Sequence, residues 1–208
     1  MHGAAFGGAH SKEYAAIMNY ARVTPPAAKE NYVDIAGGDS DIDLTEAVGG
    51  VVFGDGQIDF KFTFFRREDE ERMKDALHGR RMEIILDREP EFYYEGRVKC
   101  TKEELHGSLY ELYITAKVKP YKFERRETVH IESVEGMPRE AVLSNSRMPV
   151  MPEVTVSGDI TLTYEGVGYH MEDGVYRVPE LTLYEGRSRI GLTGRGTVKF
   201  AYRKGRLI

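Results

Sequence analysis

Apolar and polar residues alternate with a period of two in four well-separated stretches of the chain. Every second residue of QIDFKFTFF (57–65) is apolar from Ile58 onward, and SLYELYITAKV (108–118), DITLTY (159–164) and TVKFAY (197–202) repeat the pattern. Antiparallel strands with one buried face produce it. We therefore predict four half-buried strands whose core-facing residues are Ile58, Phe60, Phe62, Phe64, Tyr110, Leu112, Ile114, Ala116, Val118, Ile160, Leu162, Tyr164, Val198, Phe200 and Tyr202.

One segment has the period of a helix instead. In REDEERMKDALHG (67–79), apolar residues between Met73 and Leu77 recur at helical spacing. The acidic residues 68–71 favour the positive N-terminal end of the helix dipole, and Gly79 is a natural C-terminal stop. No good N-cap residue precedes the segment. We predict one short helix docked on a sheet, with the acidic run as a solvated first turn rather than a catalytic cluster.

A change in composition predicts two domains. Residues 135–154 are rich in proline, with Gly and Asn, although AVL within them is compatible with a strand. The helix lies before this segment, and a β-rich stretch with many glycine turns follows it. We place the boundary near 128, after KPYKFERRE (119–127). The predicted fold is mainly β: an α+β domain (1–128) with a sandwich or barrel-like sheet and one short helix, and a β-sandwich domain (129–208).

A short motif recurs at irregular spacing. YEGR occurs at 94–97 and 184–187, and YEG at 164–166. The simplest interpretation is a strand end that runs into a turn, where glycine takes a positive φ. The irregular spacing predicts no repeat architecture.

Composition narrows the classes of function. The 208 residues carry a formal net charge of −5, which disfavours nucleic-acid binding by bulk electrostatics. A single cysteine, Cys100, allows no intrachain disulfide and no cysteine metal cluster, and we expect it to be a buried thiol. No apolar run has the roughly 18 residues of a membrane helix, and the first 20 residues lack the pattern of a signal peptide. Neither membrane insertion nor export by that route is expected.

The stretch GGDSDIDLTEA (37–47) resembles the start of a calcium loop, because Asp39, Asp41 and Asp43 alternate and Glu46 follows. An EF-hand loop starting at Asp39 needs Gly at its sixth position and Glu at its twelfth. Those positions hold Leu44 and Gly50. We therefore predict an acidic turn and strand start here, and no metal or cofactor.

Other catalytic signatures are also missing from the sequence. The histidines form no HExxH or HxH pair, and no GxSxG or GxxxxGK[ST] motif occurs. GLTGRG (191–196) is glycine-rich, but we place it between two strands rather than before a helix. Acidic pairs for glycoside cleavage are numerous, and nothing singles out two of them. The aromatic residues of EFYYEGR (91–97) suit core packing better than a sugar-binding surface, and KPYKFERRE suits an interdomain linker better than a nucleic-acid motif.

The order of these segments resembles the distal tail proteins of siphophages and related prophages. The opening HSKEYAAIMNYARVTPPAAKENYVDIAGGDSDIDLTEAVGG is similar to that family's start, followed in family order by QIDFKFTFF, the helix ending in HGRR, EIILD, EFYYEGRV and KPYK. NSRMPVMPEVTVSG and LTLYEGRSRIGLTGRGTVKFAYRKG resemble its galectin-like C-terminal sandwich. Asn145-Ser146 and Gly186-Arg187-Ser188 depart from the Asn-Gly and Gly-x-Asn patterns frequent in the family, and the chain has no room for an inserted carbohydrate-binding module.

The resemblance implies a structural protein rather than an enzyme. It implies a homo-hexameric ring, built by the N-terminal domain, at the distal end of the tail tube. The implied partners are the major tail tube protein, the tail-tip hub (tail-associated) protein and receptor-binding proteins, with DNA passing through the lumen without specific binding. The implied location is the virion tail tip or baseplate, after assembly in the host cytoplasm. We expect ring or interdomain contacts at Asp39, Asp41, Asp43, Glu46, Tyr93, Gly96, Arg97, Pro120 and Tyr121.

Two alternatives come from other classes of function. The galectin-like half could act as a carbohydrate-binding, lectin-like module in host adhesion, although galectin-type sugar sites rely on a tryptophan and this chain has none. A glycoside hydrolase on a β-sandwich ranks below it. Binding to a glycan array favours the first alternative, and turnover of host cell-wall glycan favours the second.

Overall fold

A computed structural model describes residues 3–47 and 49–208, and it confirms a mainly β protein with antiparallel sheets. Within the described part of the chain, strands accompany one α-helix and one short 3-10 helix. The elements up to Val118 are β1 Ala4–Phe6, β2 Ala9–His10, η1 Ser11–Tyr14, β3 Ile17–Thr24, β4 Tyr32–Val33, β5 Ile42–Asp43, β6 Gly56–Phe64, α1 Arg67–Leu77, β7 Arg81–Leu86, β8 Phe92–His106 and β9 Leu109–Val118. The remaining elements are β10 Tyr121–Glu124, β11 Thr128–Glu135, β12 Arg139–Asn145, β13 Glu153–Tyr164, β14 Val167–Met171, β15 Gly174–Tyr176, β16 Gly186–Tyr202 and β17 Gly205–Leu207.

The internal contacts divide the chain into two compact units. The first unit ends at Lys122 and also includes Ile208, and the second comprises Phe123–Leu207. The division falls within β10, a few residues before the boundary predicted at 128. The assignment of separate domains to 1–128 and 129–208 stays a prediction.

The first unit is built on one antiparallel sheet. Its strands follow the order β2-β1-β7-β8-β9-β6-β3. The predicted apolar face of β6 is confirmed, because Ile58, Phe60, Phe62 and Phe64 are each at most 1% exposed. On β9 the apolar residues from Leu112 onward are buried, and Tyr110 packs against the same core. Alternation with a period of two thus identified two neighbouring interior strands of this sheet.

The predicted helix is confirmed. Helix α1 begins after Arg66, whose side chain makes no capping bond, and Gly79 has a φ of +78° just beyond its end. Met73 and Leu77 are buried in the core of the first unit. This apolar face docks the helix on the sheet.

The expected solvated first turn of α1 is wrong. Asp69 and Glu70 are 6% and 4% exposed. Arg66 Nε and Arg72 Nη1 lie 3.0 and 3.3 Å from the Asp69 carboxylate, which compensates its burial. Glu70 Oε1 has no hydrogen-bond partner among the described residues. The charge run alone did not indicate which of its members face the sheet.

The second unit is a sheet organised around β16. This strand pairs with β13 along one edge and with β12 and then β11 along the other. Strand β12 contains the AVL segment. The predicted apolar faces of DITLTY and TVKFAY are confirmed, since their residues are at most 7% exposed: Ile160, Leu162, Tyr164, Val198, Phe200 and Tyr202. The galectin-like description of this unit stays a prediction.

The segment GLTGRG does not lie between two strands, as the sequence suggested. It lies inside β16, and Gly194 and Gly196 have φ values of +114° and +151° there. A Cβ atom at Gly194 would overlap the carbonyl oxygen of Asp159, and one at Gly196 would overlap that of Ser157. The glycines therefore permit close approach of β13 to β16 rather than a turn.

The turn expected at Tyr93–Arg97 is also wrong. These residues lie within β8, and Gly96 pairs with Met82 on one side and Val118 on the other. A Cβ atom at Gly96 would overlap the Lys117 carbonyl oxygen, which explains the glycine. The copy at 164–166 matches the expectation, because β13 ends at Tyr164 and Gly166 has a φ of +83° in the following turn. The copy at 184–187 does not, because it leads into β16, although Gly186 has a φ of +113° at the start of that strand.

Candidate interaction surfaces of the first unit

The first candidate surface is a hairpin, residues 30–47, which we call the acidic arm. Its two short strands, β4 and β5, pair Tyr32 with Asp43 and Val33 with Ile42. The N–H group of Leu44 donates to the Asn31 carbonyl oxygen at 2.8 Å. At the base of the arm, the N–H group of Lys29 donates to the Val52 carbonyl oxygen at 2.7 Å, and Ala28 pairs with Phe53.

The predicted acidic residues are distributed along this arm. Asp39 lies in the bend at its tip, Asp41 directly precedes β5, Asp43 lies in β5, and Glu46 lies in the following turn. All four are exposed. The Asp43 carboxylate accepts a hydrogen bond of 2.9 Å from the Thr45 N–H group, and hydrogen bonding to Thr45 lowers the pKa of Asp43. Within 3–47 and 49–208, no three His, Cys, Asp or Glu residues form a group suited to a metal ion.

The arm combines one sign of charge with exposed apolar side chains. Residues 30–47 contain six Asp and Glu and neither Lys nor Arg. Five apolar or aromatic side chains of the arm are between 36% and 53% exposed: Tyr32, Val33, Ile35, Ile42 and Leu44. A two-stranded hairpin buries little surface by itself. Exposed apolar side chains grouped in this way are typical of a protein interface.

The second candidate surface is an open cleft of about 480 Å³ over strands β7, β8 and β9, which we call the basic cleft. The strand register places Arg97 directly between Arg81 on β7 and Lys117 on β9. The lining residues are Asp55, Arg81, Glu95, Gly96, Arg97, Lys99, Thr115, Lys117, Val118 and Lys119. Five cations and two carboxylates leave this cleft with a net charge of +3.

The two carboxylates neutralise only part of the cleft. Glu95 lies between Arg81, with an N–O distance of 2.6 Å, and Lys119, with one of 2.5 Å. The hydrogen bond from Lys119, supported by the charges of Lys119 and Arg81, lowers the pKa of Glu95 although partial burial opposes this. Lys117 Nζ lies 3.1 Å from Asp55 Oδ2. Arg97 donates to the Gly79 carbonyl oxygen at 2.6 Å and pairs with no carboxylate among the described residues.

The remaining predicted residues lie near these surfaces. Tyr93 alternates with Tyr94 along β8, where Tyr94 is buried and Tyr93 is partly exposed. The Pro120 carbonyl oxygen accepts a hydrogen bond of 3.2 Å from the N–H group of Ile208. The ring of Tyr121 packs edge-on against Phe53, at the base of the acidic arm, with centroids 6.4 Å apart. The structure thus brings Gly96 and Arg97 together in the cleft and connects Tyr121 to the arm.

A serine, a histidine and an aspartate meet near the N-terminus without forming a nucleophilic triad. His10 Nε2 lies 3.0 Å from Asp87 Oδ1, and His10 Nδ1 accepts a hydrogen bond from the Lys12 N–H group. Ser11 is buried, and its hydroxyl oxygen accepts from the Ala4 N–H group at 3.4 Å. Both ring nitrogens of His10 are engaged elsewhere, so neither is directed at the Ser11 hydroxyl. This cluster caps η1 and ties it to the strand end at Asp87.

Known proteins resemble this chain in fold rather than in sequence. No protein-family model matches the chain, and neither does any curated protein sequence. Among solved structures, the chain is similar to the Dit protein (gp 19.1) of phage SPP1, described as a paradigm of the hub adsorption apparatus in phages that infect Gram-positive bacteria. The TM-score is 0.74 over 98% of this chain and 99% of that chain, at 13% sequence identity.

The chain has the fold of that phage protein. The resemblance to distal tail proteins that the sequence predicts is therefore confirmed at the level of the fold. Between residues 3 and 208, leaving out position 48, no helix has the length and hydropathy required to cross a bilayer.

The residues that this chain shares with those two family patterns, Asn145 and Gly186, have structural roles in this Dit-like fold. Asn145 is buried at the end of β12, and its amide group donates to the carbonyl oxygens of Met148 and Leu183, both at 2.7 Å. Asn145 therefore ties two loops to the strand. Gly186 begins β16 with a φ of +113°, so the glycine of Gly186-Arg187-Ser188 is the residue that the backbone requires.

Most residues of the basic cleft were not predicted from the sequence. Arg97 was identified, but Arg81, Lys99 and Lys117 were not. They come from three strands, and only the register of β7, β8 and β9 places them together. Cations two residues apart, as at 97 and 99 and again at 117 and 119, were the available indication of a charged strand face.

Proposed function

We propose that the protein is a structural, non-enzymatic component of a phage tail tip. The observation that carries this proposal is the Dit-like fold, which extends over nearly the full length of both aligned chains. At 13% sequence identity the likeness shows a shared fold, and the step from that fold to a function is our proposal.

In this proposal six copies form a ring at the distal end of the tail tube. The N-terminal domain, predicted as 1–128, builds the ring, and the C-terminal domain, 129–208, offers a docking platform. The ring connects the major tail tube protein to the tail-tip hub protein, and receptor-binding proteins attach to the platform. DNA passes through the lumen without specific binding. Assembly takes place in the host cytoplasm, and the mature location is the virion tail tip.

The surfaces of the first unit support ring formation. A ring needs a heterologous interface, in which two different patches of each subunit meet those of its neighbours. The exposed apolar side chains of the acidic arm gain stability if a neighbour covers them. We propose ring contacts at the residues named from the sequence, which are Asp39, Asp41, Asp43, Glu46, Tyr93, Gly96, Arg97, Pro120 and Tyr121.

The test is the mass of the purified protein in solution, together with negative-stain images. Each is recorded for the protein alone and with tail tube protein, at concentrations that prevail during tail assembly. We expect a mass of six subunits and six-fold rings. A protein that remains a monomer under both conditions would contradict the proposed function.

A further inference from the structure

We propose that the acidic arm of one copy inserts into the basic cleft of the next copy. This contact would be the head-to-tail interface of the ring, so the inference rests on the proposed function and names the surfaces that carry it. The occupant of the basic cleft is thus a second copy of this chain.

Charge complementarity is the first argument. The arm presents six carboxylates and no cation, whereas the cleft carries a net charge of +3. The negative charges of the arm affect its own Tyr32, because the charges of Asp43 and then Glu30 raise the pKa of that phenol. Opposite fields of this kind steer association and fix the register of an interface.

The second argument is that both surfaces are incomplete in the isolated chain. The six carboxylates of the arm take part in no ion pair with any described residue. In the cleft, Arg81, Arg97 and Lys117 occupy one cross-strand row, which places like charges directly opposite each other. Such pairs destabilise a sheet unless an anion compensates them, as Glu95 does for Arg81 and Asp55 does for Lys117. Arg97 and Lys99 have no carboxylate partner in the described part of the chain.

The third argument is the position of the arm's base. Phe53 closes the base of the arm, and Asp55, two residues later, lines the cleft. The arm itself does not fill its own cleft, because none of its residues lines that cleft. Fully extended, residues 30–38 span at most about 30 Å, so the tip can contact a neighbouring subunit. Two adjacent but different patches on each copy suit a heterologous contact that closes by rotation.

The apolar side chains of the arm can also contact apolar groups in the cleft. Val118 and the backbone at Gly96 form part of its lining, and the stems of its Lys and Arg side chains are aliphatic. Ile42 and Leu44 alternate with the acidic residues 41 and 43 along the arm. Because alternating side chains point to opposite faces, an arm inserted into the cleft offers carboxylates to the cations on one side and methyl groups to the aliphatic stems on the other.

The experiment reverses charge on each surface separately. The arm variant carries Asp39→Lys, Asp41→Lys, Asp43→Lys and Glu46→Lys, which turn the arm from six negative charges to a net charge of +2. The cleft variant carries Arg97→Glu and Lys117→Glu, which turn the cleft from +3 to −1. We expect each variant alone to reduce the ring fraction, measured by native mass spectrometry, by at least about tenfold. An equimolar mixture of the two should form rings again, because each variant supplies the charge that the other has lost.

A matched control tests whether any similar charge change weakens the ring. The control carries four substitutions at exposed residues of the second unit, with the same change in charge as the arm variant: Glu165→Lys, Glu172→Lys, Glu180→Lys and Glu185→Lys. It should leave the ring fraction unchanged. Circular dichroism and thermal unfolding confirm that every variant is folded. A wild-type salt titration gives an independent measurement, and the ring fraction should fall between about 0.05 and about 0.5 M salt as screening increases.

The outcomes separate this inference from the proposed function. If the wild type forms rings and folded charge-reversed variants also form them, the arm–cleft contact is wrong and the ring function stands. Rings lost in both variants but not restored by mixing, or wild-type rings that are insensitive to salt, also contradict it. A wild type that is monomeric with and without tube protein overturns both proposals. Restoration on mixing, with an unaffected control, supports both.

Discussion

Strand β6 and the acidic arm both alternate apolar with polar residues, but the apolar side chains are buried on β6 and exposed on the arm. Phe60 and Phe62 on β6 are 1% and 0% exposed, whereas Ile42 and Leu44 on the arm are 48% and 36% exposed. Strand β6 has a paired strand on each side and packs against the helix, while β5 pairs only with β4. Alternation therefore predicts an extended conformation, and burial additionally needs a third strand or an opposing layer.

The largest expected effect is on the core. Phe62→Ala should lower the free energy of unfolding by about 3–5 kcal/mol, because it removes a fully buried ring and leaves a cavity. The matched change on the arm is Tyr32→Ala, whose side chain is 53% exposed, and it should change stability by less than about 0.5 kcal/mol. Chemical denaturation of the monomer measures both. Equal losses would show that the arm is packed within its own chain.

The second comparison is between two Gly→Ala substitutions, one inside the sheet and one just after the arm. Gly96→Ala should destabilise the protein by about 1–3 kcal/mol, since the new methyl group would overlap the Lys117 carbonyl oxygen between β8 and β9. Gly50, just after the arm, has open space around its added Cβ atom and no left-handed φ. Gly50→Ala should therefore be neutral or slightly stabilising. Thermal unfolding of the two variants provides the check, and a tolerated Gly96→Ala would mean that the strands separate easily.

The smallest expected effect is a change in Tm, measured at two pH values for two Glu→Gln variants. Burial, and then the negative charge of Glu103, raises the pKa of Glu70 above its ordinary value of 4.5. In the unfolded chain Glu70 ionises near that ordinary value, so between the two pKa values the folded state holds more protons. Stability from this group is therefore complete below about pH 4 and is lost as the pH rises through the raised pKa.

Glu70→Gln removes this loss, because glutamine stays neutral. The Tm of the variant relative to wild type should therefore be higher at pH 8 than at pH 4. Glu46→Gln is the control on the arm, where the side chain is exposed, and it should change the Tm little. Thermal scans at both pH values measure the effect. A Glu70→Gln difference that is the same at both values would contradict the raised pKa of Glu70.

Predictions from the sequence succeeded where one local pattern sufficed. The apolar faces of β6, β9, β13 and β16 were predicted because side-chain direction alternates along any strand. Helix α1 followed from its own period and from Gly79. Predictions were wrong where a neighbouring strand determines the role of a residue. Gly96 and Gly194 look like turn residues, yet each is needed because a neighbouring strand approaches its backbone closely.

The sequence by itself determined the mainly β class, the chain positions of four core strands and of helix α1, and the acidic character of residues 37–47. These properties depend on residues close together in the chain. Only the tertiary structure decided that Asp69 and Glu70 are buried, that the arm stands exposed, and that cations from β7, β8 and β9 form one cleft. Burial and clustering depend on which distant segments become neighbours, and strand register sets those neighbours.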